Sequence, residues 1–302
     1  MSKKVLVAGG AGFIGSHLVE RLQKDNDVIV LDNLSSGNTI SPNCSFFKVD
    51  IARDPIENYF KGVDEVWELV ANPNIRSALT NPSIDMDTII GMFRVLEAMR
   101  KNDVKRIIYT SSSTVYGDTK MVPTPETYAP LLPMSLYGAS KLAGEALVSS
   151  YVGTFGFNAV VFRLSNIVGP RLKRGIIYDF VNKLKANPNR LEILGDGTQP
   201  KTYVYIDDCI DAMFLANSKI NSGMEIFNIG NKDLLTSRDV AGIVSKTIGL
   251  NPEFYFTGGL RGWPGDVPKN FLDITKIMSY GWQPKYTSGE AVRLMCHSMK
   301  PE

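Results

Sequence analysis

The sequence has few cysteines and histidines, which limits the kinds of site it can form. Its three cysteines, Cys44, Cys209 and Cys296, are far apart in a chain of 302 residues, so we expect neither a disulfide framework nor a cysteine-based metal site. The two histidines lie near opposite ends of the chain without neighbouring ligand residues, which argues against a zinc site or a histidine-centred catalytic group. This usage fits a reducing compartment, and we expect a cytoplasmic protein without a metal.

The chain also lacks an excess of charge and a long apolar run. Its 33 basic and 31 acidic residues give a net charge of +2, too small for the field that draws proteins to nucleic acid or membranes. No run approaches the ~20 apolar residues needed to span a bilayer, and residues 5–8 are too short a run for a signal peptide. With 44% apolar residues the chain can form a sizeable core, and we expect a small-molecule partner, with no nucleic acid and no membrane.

Short apolar runs alternate with longer amphipathic segments in the first half of the chain. The runs are apolar on both faces and predict buried strands at 5–8, 27–32, 46–49, 65–70, 106–110 and 159–164. Apolar residues three and four apart predict helices at 14–24, 84–101 and 136–154. The alternation predicts an α/β fold of the Rossmann type, a doubly wound parallel sheet covered by helices on both faces.

Three glycines lie between the first predicted strand and the first predicted helix. Gly9, Gly12 and Gly15 allow a tight turn and let a phosphate approach the N–H groups at the helix N-terminus. The second strand ends at Asp32, whose carboxylate can accept hydrogen bonds from both ribose hydroxyls and would repel a 2′-phosphate. Residues 33–37 contain no Arg or Lys. The pattern predicts NAD rather than NADP; the alternative is a plain glycine turn with a helix-capping or surface Asp.

The sequence changes character after about Ser165, where segments become shorter and richer in Pro and Gly. We therefore expect residues 1–165 to form an NAD-binding Rossmann domain, with residues 166–302 forming a smaller α/β region and some chain crossing between the two. Because ligands of doubly wound sheets bind at the carboxyl ends of the strands, we expect the ligand cleft between these two regions.

A hydroxyl-rich loop and a Tyr–Lys pair follow the fifth predicted strand. The loop reads Thr110-Ser-Ser-Ser-Thr-Val-Tyr-Gly117, and Tyr137 precedes Lys141 by one helical turn. A free phenol titrates near ~10, too high for a base at neutral pH, whereas a nearby cation stabilises the phenolate. The pair can be a base with its cation; the alternative is two polar residues on a solvated helix face.

The order of these motifs resembles the extended short-chain dehydrogenase/reductases, and within them the NAD-dependent nucleotide-sugar 4-epimerases of the UDP-glucose/UDP-galactose type. The resemblance extends over essentially the whole chain and includes Asp50-Ile51, Arg163-x-x-Asn166-x-x-Gly169-Pro170 and Gly265-Asp266-Val267-Pro268. It implies C4 epimerisation of a UDP-sugar through a transient 4-keto intermediate.

The resemblance also implies a role for each matching residue. Tyr137 would take the proton from the sugar 4-hydroxyl, Lys141 would stabilise the phenolate and bind the nicotinamide ribose, and Ser112 would orient the same sugar oxygen beside Thr114. Cofactor binding is implied for Gly9, Gly12, Phe13, Ile14, Gly15, Asp32, Asn33, Ser36, Gly37, Asp50, Ile51, Leu69, Val70, Ala71, Tyr137 and Lys141. Substrate binding is implied for Ser112, Tyr137, Asn166, Lys201, Tyr203 and Asp266.

Three positions depart from the family pattern. Lys201 stands where an Arg usually binds the diphosphate, so a point charge replaces a bidentate fork. Glu68 stands in an apolar strand where many relatives have His, and a buried Glu needs either hydrogen-bond partners or a raised pKa. Thr88 stands at the usual place of an Asn that contacts the cofactor.

Other activities are weighed by the same positions. Related 4,6-dehydratases have an Asp-Glu pair directly before Val-Tyr-Gly, where this chain has Ser113-Thr114, so dehydration lacks its acid and base. Epimerisation of another UDP-sugar, an N-acetylhexosamine or a glucuronate, stays open. So does a non-catalytic NAD-binding regulatory protein, although such proteins tend to lose the Tyr or the Lys.

The second and third predicted helices have more apolar residues than one core-facing stripe needs. These include Met92, Phe93, Leu96 and Met99. The resemblance implies that the two helices pair with those of a second subunit, and we expect a homodimer; the alternative is that loops cover these residues.

Overall fold

The computed structural model describes residues 2–37, 39–72, 74–259, 267 and 269–299. The strands are β1 (Lys4–Ala8), β2 (Asp27–Asp32), β3 (Ser45–Lys48), β4 (Glu65–Glu68), β5 (Arg106–Ser112), β6 (Asn158–Leu164), β7 (Asn166–Val168), β8 (Arg190–Ile193), β9 (Pro200–Lys201), β10 (Tyr203–Tyr205), β11 (Met224–Ile229), β12 (Leu235–Thr236) and β13 (Glu253–Phe256). The α-helices are α1 (Phe13–Leu22), α2 (Ser83–Lys101), α3 (Leu136–Phe155), α4 (Gly175–Ala186), α5 (Ile206–Lys219), α6 (Ser237–Thr247), α7 (Thr275–Ser279) and α8 (Ser288–Ser298). Across these described segments, no helix has the length and apolar character to cross a membrane.

Within the described ranges, seven strands form one sheet in the order β11-β6-β5-β4-β1-β2-β3. The pairs β1–β2, β1–β4, β2–β3 and β4–β5 are parallel. Strands β1, β2, β4 and β5 are buried almost throughout, as their continuous apolar runs predict for a sheet covered by helices. The predicted Rossmann-type fold is confirmed. The chain order reverses at β1, and the carboxyl ends of β1, β4 and β5 lie side by side.

The third strand corrects one expectation. We predicted a strand at 46–49 buried on both faces, but β3 (Ser45–Lys48) is mostly exposed, and Phe47 keeps 39% of its surface accessible. The burial prediction was wrong because β3 is the last strand in the order, and in the described part of the chain it pairs only with β2. An apolar pair of residues does not by itself distinguish an edge strand from a central one.

The chain forms two compact units, each with its own hydrophobic core. The first contains Met1–Val115, Ser135–Arg163 and Met213–Phe227, and the second contains Tyr116–Met134, Leu164–Ala212 and Asn228–Glu302. The core of the first unit lies between the sheet and helices α2 and α3. The second core packs α4, α6 and α8 against short strands. The functional division into residues 1–165 and 166–302 stays a prediction.

The apolar residues of α2 divide between the core and the surface. Met92, Leu96 and Met99 are buried in the core of the first unit, so our assignment of these three residues to a spare apolar face was wrong. Helix periodicity gives one face, but only the packed sheet shows how wide the covered stripe is. Phe93 and Ile90 stay exposed, Phe93 by 49%, and the homodimer stays a prediction.

Candidate active site

The loop between β1 and α1 gives a ligand close access to backbone. Gly9 has φ +80° and its N–H donates to the carbonyl of Leu31 at 2.8 Å. A Cβ on Gly15 would stand 2.1 Å from the Gly9 oxygen, so only glycine fits. Gly12 is the N-cap of α1 and provides no side-chain hydrogen bond, and the first turn has no acidic residue. The partial positive charge of this helix end is therefore available to an anion.

Asp32, at the end of β2, holds the glycine loop. Its Oδ2 accepts the N–H of Ala11 at 2.9 Å and its Oδ1 accepts the N–H of Leu34 at 2.8 Å. Burial raises the pKa of Asp32, while these two hydrogen bonds act in the opposite direction. Each oxygen keeps a further lone pair for a ribose hydroxyl. Gly37 lies against the same loop, since a Cβ there would stand 2.2 Å from the oxygen of Ala11.

The other predicted cofactor residues differ in how much of their surface is exposed. Phe13, Ile14, Leu69, Val70 and Ala71 are partly exposed, and Asn33 and Ser36 are exposed. The Asn33 amide donates to Asp50 Oδ2 at 3.4 Å. Ile51 differs, because its side chain is buried in the core of the first unit; a cofactor contact there would involve its backbone.

The hydroxyl cluster forms at the carboxyl end of β5. The strand runs to Ser112, two residues beyond the predicted end. Ser112 Oγ accepts both the N–H of Thr114 at 3.2 Å and the Thr114 hydroxyl at 3.0 Å. The structure therefore brings these two predicted site residues together.

The Tyr–Lys pair lies in the first two turns of α3, as predicted. Ser135 caps the helix, because its Oγ accepts the N–H of Gly138 at 3.1 Å. Tyr137 and Lys141 are one turn apart and share a face. Tyr137 is partly exposed, whereas Lys141 is buried with 2% of its surface accessible.

The Lys141 ammonium reaches the carboxyl ends of β4 and β5. Its Nζ donates to the carbonyl of Thr110 at 2.8 Å and to that of Val70 at 3.2 Å. Burial lowers the pKa of Lys141 to about 8, and the carboxylates of Glu68, Asp85 and Glu145 act against this decrease.

A buried ion pair next to this lysine was missed by the sequence analysis. Arg163 Nη2 donates to Glu145 Oε2 at 2.7 Å and Arg163 Nε donates to Glu145 Oε1 at 3.0 Å. Ser111 Oγ also donates to Glu145 Oε1. The one signal in the sequence was the position of Glu145, a single helical turn after Lys141. Arg163 was noted only as part of a motif.

Two of the predicted substrate residues face each other in the second unit. Asn166 on β7 pairs with Tyr203 on β10 in parallel register, and the Asn166 amide donates to the carbonyl of Thr202 at 2.9 Å. Lys201 lies on β9, two residues before Tyr203, and is partly exposed.

Tyr203 and Asp266 are the two remaining residues for which substrate binding was predicted. The Tyr203 side chain is buried in the second core, so we do not include it in the substrate site proposed below. Asp266, predicted to bind the substrate, lies outside the described residues.

These observations fit a bound NAD. The crowded glycine turn leaves no room for side chains, the α1 N-terminus attracts phosphate, and Asp32 offers acceptors for ribose hydroxyls. On α3, which comes after β5 in the chain, the partly exposed Tyr137 precedes the buried Lys141 by one turn. Together they define a dinucleotide-binding enzyme of the Rossmann class with a tyrosine as its candidate base. The chain belongs to the NAD dependent epimerase/dehydratase family, whose model matches residues 5–230.

Similar proteins extend over the full length of the chain. A relative from Methanocaldococcus jannaschii named putative UDP-glucose 4-epimerase is 35% identical, covering 98% of this chain and 98% of its own. A crystal structure of a UDP-galactose 4-epimerase is 38% identical, covers 98% of both chains and has a TM-score of 0.90. The UDP-glucose 4-epimerase of Thermus thermophilus, solved with NAD, is 32% identical, with 98% of both chains covered and a TM-score of 0.88.

Proposed function

We propose that this protein interconverts UDP-glucose and UDP-galactose by inverting C4 of the sugar. The observation that carries the proposal is the placement of Lys141, whose buried ammonium lies at the ends of β4 and β5 one turn after Tyr137. Ser112 ends β5 and is hydrogen-bonded to the Thr114 hydroxyl, and Ser113-Thr114 stand where a dehydratase would need its two carboxylates. We also propose that the protein acts as a cytoplasmic homodimer.

We propose that the first unit binds NAD through backbone and Asp32. The glycine loop and the α1 N-terminus would hold the diphosphate, and the Asp32 oxygens would hold the ribose hydroxyls. A 2′-phosphate would meet the Asp32 carboxylate, so NADP should bind poorly. When bound there, NAD would supply the hydride-accepting and hydride-donating chemistry at sugar C4.

The protein's own groups move the proton of the 4-hydroxyl. The Tyr137 phenolate would accept this proton as the 4-keto sugar forms and return it when the ring is reduced. The Lys141 cation on the same helical face would stabilise the phenolate form of this base. Ser112 accepts two hydrogen bonds from Thr114, which polarises its own O–H for donation to the sugar oxygen.

In the second unit, we propose that Asn166 and Lys201 bind the UDP diphosphate and that Asp266 binds the nucleotide ribose. Lys201 acts as a point charge on the phosphates. The glucose/galactose preference is supported by the names of the similar proteins. Structures titled UDP-N-acetylglucosamine 4-epimerase and UDP-glucuronic acid 4-epimerase, each 27% identical, make an N-acetylhexosamine or a glucuronate the second candidate sugar.

The test is to incubate the purified protein with each UDP-sugar, without added NAD, and to follow C4 inversion by NMR. The sugar that is inverted fastest identifies the substrate. Tyr137→Phe should lower turnover by at least about 100-fold with NAD retained, and Tyr255→Phe, at an exposed ring, is the matched control. Normal turnover of Tyr137→Phe would exclude this base. Retained NAD without inversion of any sugar would favour a non-catalytic NAD-binding protein.

A further inference from the structure

Glu68 is a buried carboxyl group that the mechanism above does not use. It is the last residue of β4, and 2% of its surface is accessible. Its Oε1 accepts the N–H of Val70 at 3.0 Å. Its Oε2 is buried and has no hydrogen-bond partner in the described part of the chain. Burying a carboxyl oxygen without a partner is costly, so this arrangement requires a physical reason.

Two residues, Val70 and Thr110, are hydrogen-bonded to both Glu68 and Lys141. Val70 donates its N–H to the Glu68 carboxyl, and its carbonyl accepts a hydrogen bond from Lys141 Nζ. Thr110 donates its hydroxyl to the Glu68 carbonyl at 3.2 Å, and the Thr110 carbonyl accepts the other Lys141 hydrogen bond. Both carbonyls that hold the ammonium therefore belong to residues that are hydrogen-bonded to Glu68.

The same site places several charges around one cation. The titratable groups that act on Lys141 or on its neighbour Tyr109 of β5 are Glu68 on β4, Asp85 on α2, and Tyr137 and Glu145 on α3. Glu145 is already paired with Arg163. Burial raises the pKa of Asp85 and raises the pKa of Glu68 to about 8, with the Lys141 charge opposing the rise at both. Among these carboxyl groups, and within the residues that the structure describes, Glu68 is the one that shares hydrogen-bonded neighbours with the lysine.

We propose that Glu68 is a positioning residue for Lys141. Its carboxyl group fixes the backbone of Val70 through the Val70 N–H, on the residue whose carbonyl accepts from the ammonium, and its negative charge keeps that ammonium protonated in the alkaline range. The cation one helical turn after Tyr137 then persists at pH values where a buried lysine alone would be neutral. The consequence for catalysis rests on the proposed function, whereas the effect on Lys141 protonation does not. A neutral His at this position would provide no such charge.

The test measures the protonation of Lys141 directly. Protein labelled with ¹³C at the lysine ε-carbons and purified with its bound cofactor is titrated by NMR, and the Lys141 signal is identified by its loss in Lys141→Arg. Glu68→Gln keeps the Oε1 acceptor for Val70 and removes the charge. We expect the Lys141 midpoint to move to lower pH by about one unit or more. Glu68→His should give the same direction, since His is neutral above pH ~7.

Glu65→Gln is the matched control. Glu65 lies on the same strand and is also buried, but its carboxyl group accepts from Trp67 Nε1 at 2.7 Å and pairs with Lys3. This variant should leave the Lys141 midpoint unchanged. An unchanged midpoint in both Glu68 variants, or an equal shift in the Glu65 variant, would overturn the proposal.

The pH profile of epimerisation gives a second readout that a purely structural role would not move. The alkaline limb of kcat/KM should shift to lower pH in Glu68→Gln by the same amount as the NMR midpoint. If the NMR midpoint shifts but no UDP-sugar is inverted, the proposed function fails and the role of Glu68 stands. If sugars are inverted normally and the Lys141 midpoint does not shift, the proposed function stands and the proposed role of Glu68 fails.

Discussion

The buried pair of Arg163 and Glu145 offers a stringent test of the packing around α3. Two parallel hydrogen bonds of 2.7 and 3.0 Å join the side chains, and only 3% and 5% of their side-chain surfaces are accessible. Glu145→Leu leaves the guanidinium buried without its counterion, which costs about 3–5 kcal/mol. The lost hydrogen bond from Ser111 adds about 1 kcal/mol. We expect Arg163→Leu to be similarly unstable, because it leaves the carboxylate unpaired.

The double variant separates the ion pair from simple packing. Because the double variant Glu145→Leu with Arg163→Leu removes both charges together, its free energy of unfolding should lie within about 2 kcal/mol of that of the parent protein. Urea unfolding followed by circular dichroism gives the free energies, at equal NAD content because bound ligand stabilises the folded state. The control is Glu192→Gln, which removes the exposed pair with Lys183 and should change the stability little.

The reasoning would be refuted by either of two results. One is a cost below about 1 kcal/mol for Glu145→Leu, which would show that the arginine finds water or another partner. The other is a double variant as unstable as the sum of the two single variants, which would show that the two side chains are not energetically coupled.

Three further predictions concern the cofactor loop and Glu68. Gly15→Ala should destabilise the protein by about 1–3 kcal/mol and weaken NAD binding, because the added Cβ would meet the Gly9 oxygen at 2.1 Å. Urea unfolding and NAD titration measure these two effects. The control Gly153→Ala, whose added Cβ meets open space, should show neither effect. Asp32→Ala should lose the preference for NAD over NADP in binding measurements, and an unchanged preference would show that another group contacts the ribose. Burial raises the pKa of Glu68 from 4.5 to about 8, so its carboxyl group is neutral below that pH and provides its charge to Lys141 only in the alkaline range. The stability of the parent relative to Glu68→Gln should therefore be highest below pH 4.5 and fall as the pH rises to 8, by at most about 1.4 kcal/mol per unit; parallel stability curves for the two proteins would contradict a carboxyl group that stays protonated to this pH.

Local spacing within the sequence determined the main elements of the fold and the candidate site. The glycine loop, Asp32 at the end of β2, and Tyr137 one turn before Lys141 each depend on residues close together in the chain. The hydrophobic period, the residues that form turns and the spacing of side chains along a helix are local properties, so they can be recognised in the sequence without knowledge of the fold. The alternation of apolar runs and amphipathic segments likewise predicted the Rossmann-type sheet.

Only the tertiary structure decided what surrounds these residues. Lys141 is buried against the carbonyls of Val70 and Thr110, which lie 71 and 31 residues away in the chain, and no local pattern specifies such contacts. The exposure of β3, the burial of Tyr203 and the pairing of Glu145 with an arginine on β6 have the same origin. Each depends on which strand or helix becomes the neighbour, and that is settled by packing of the whole chain rather than by local propensity.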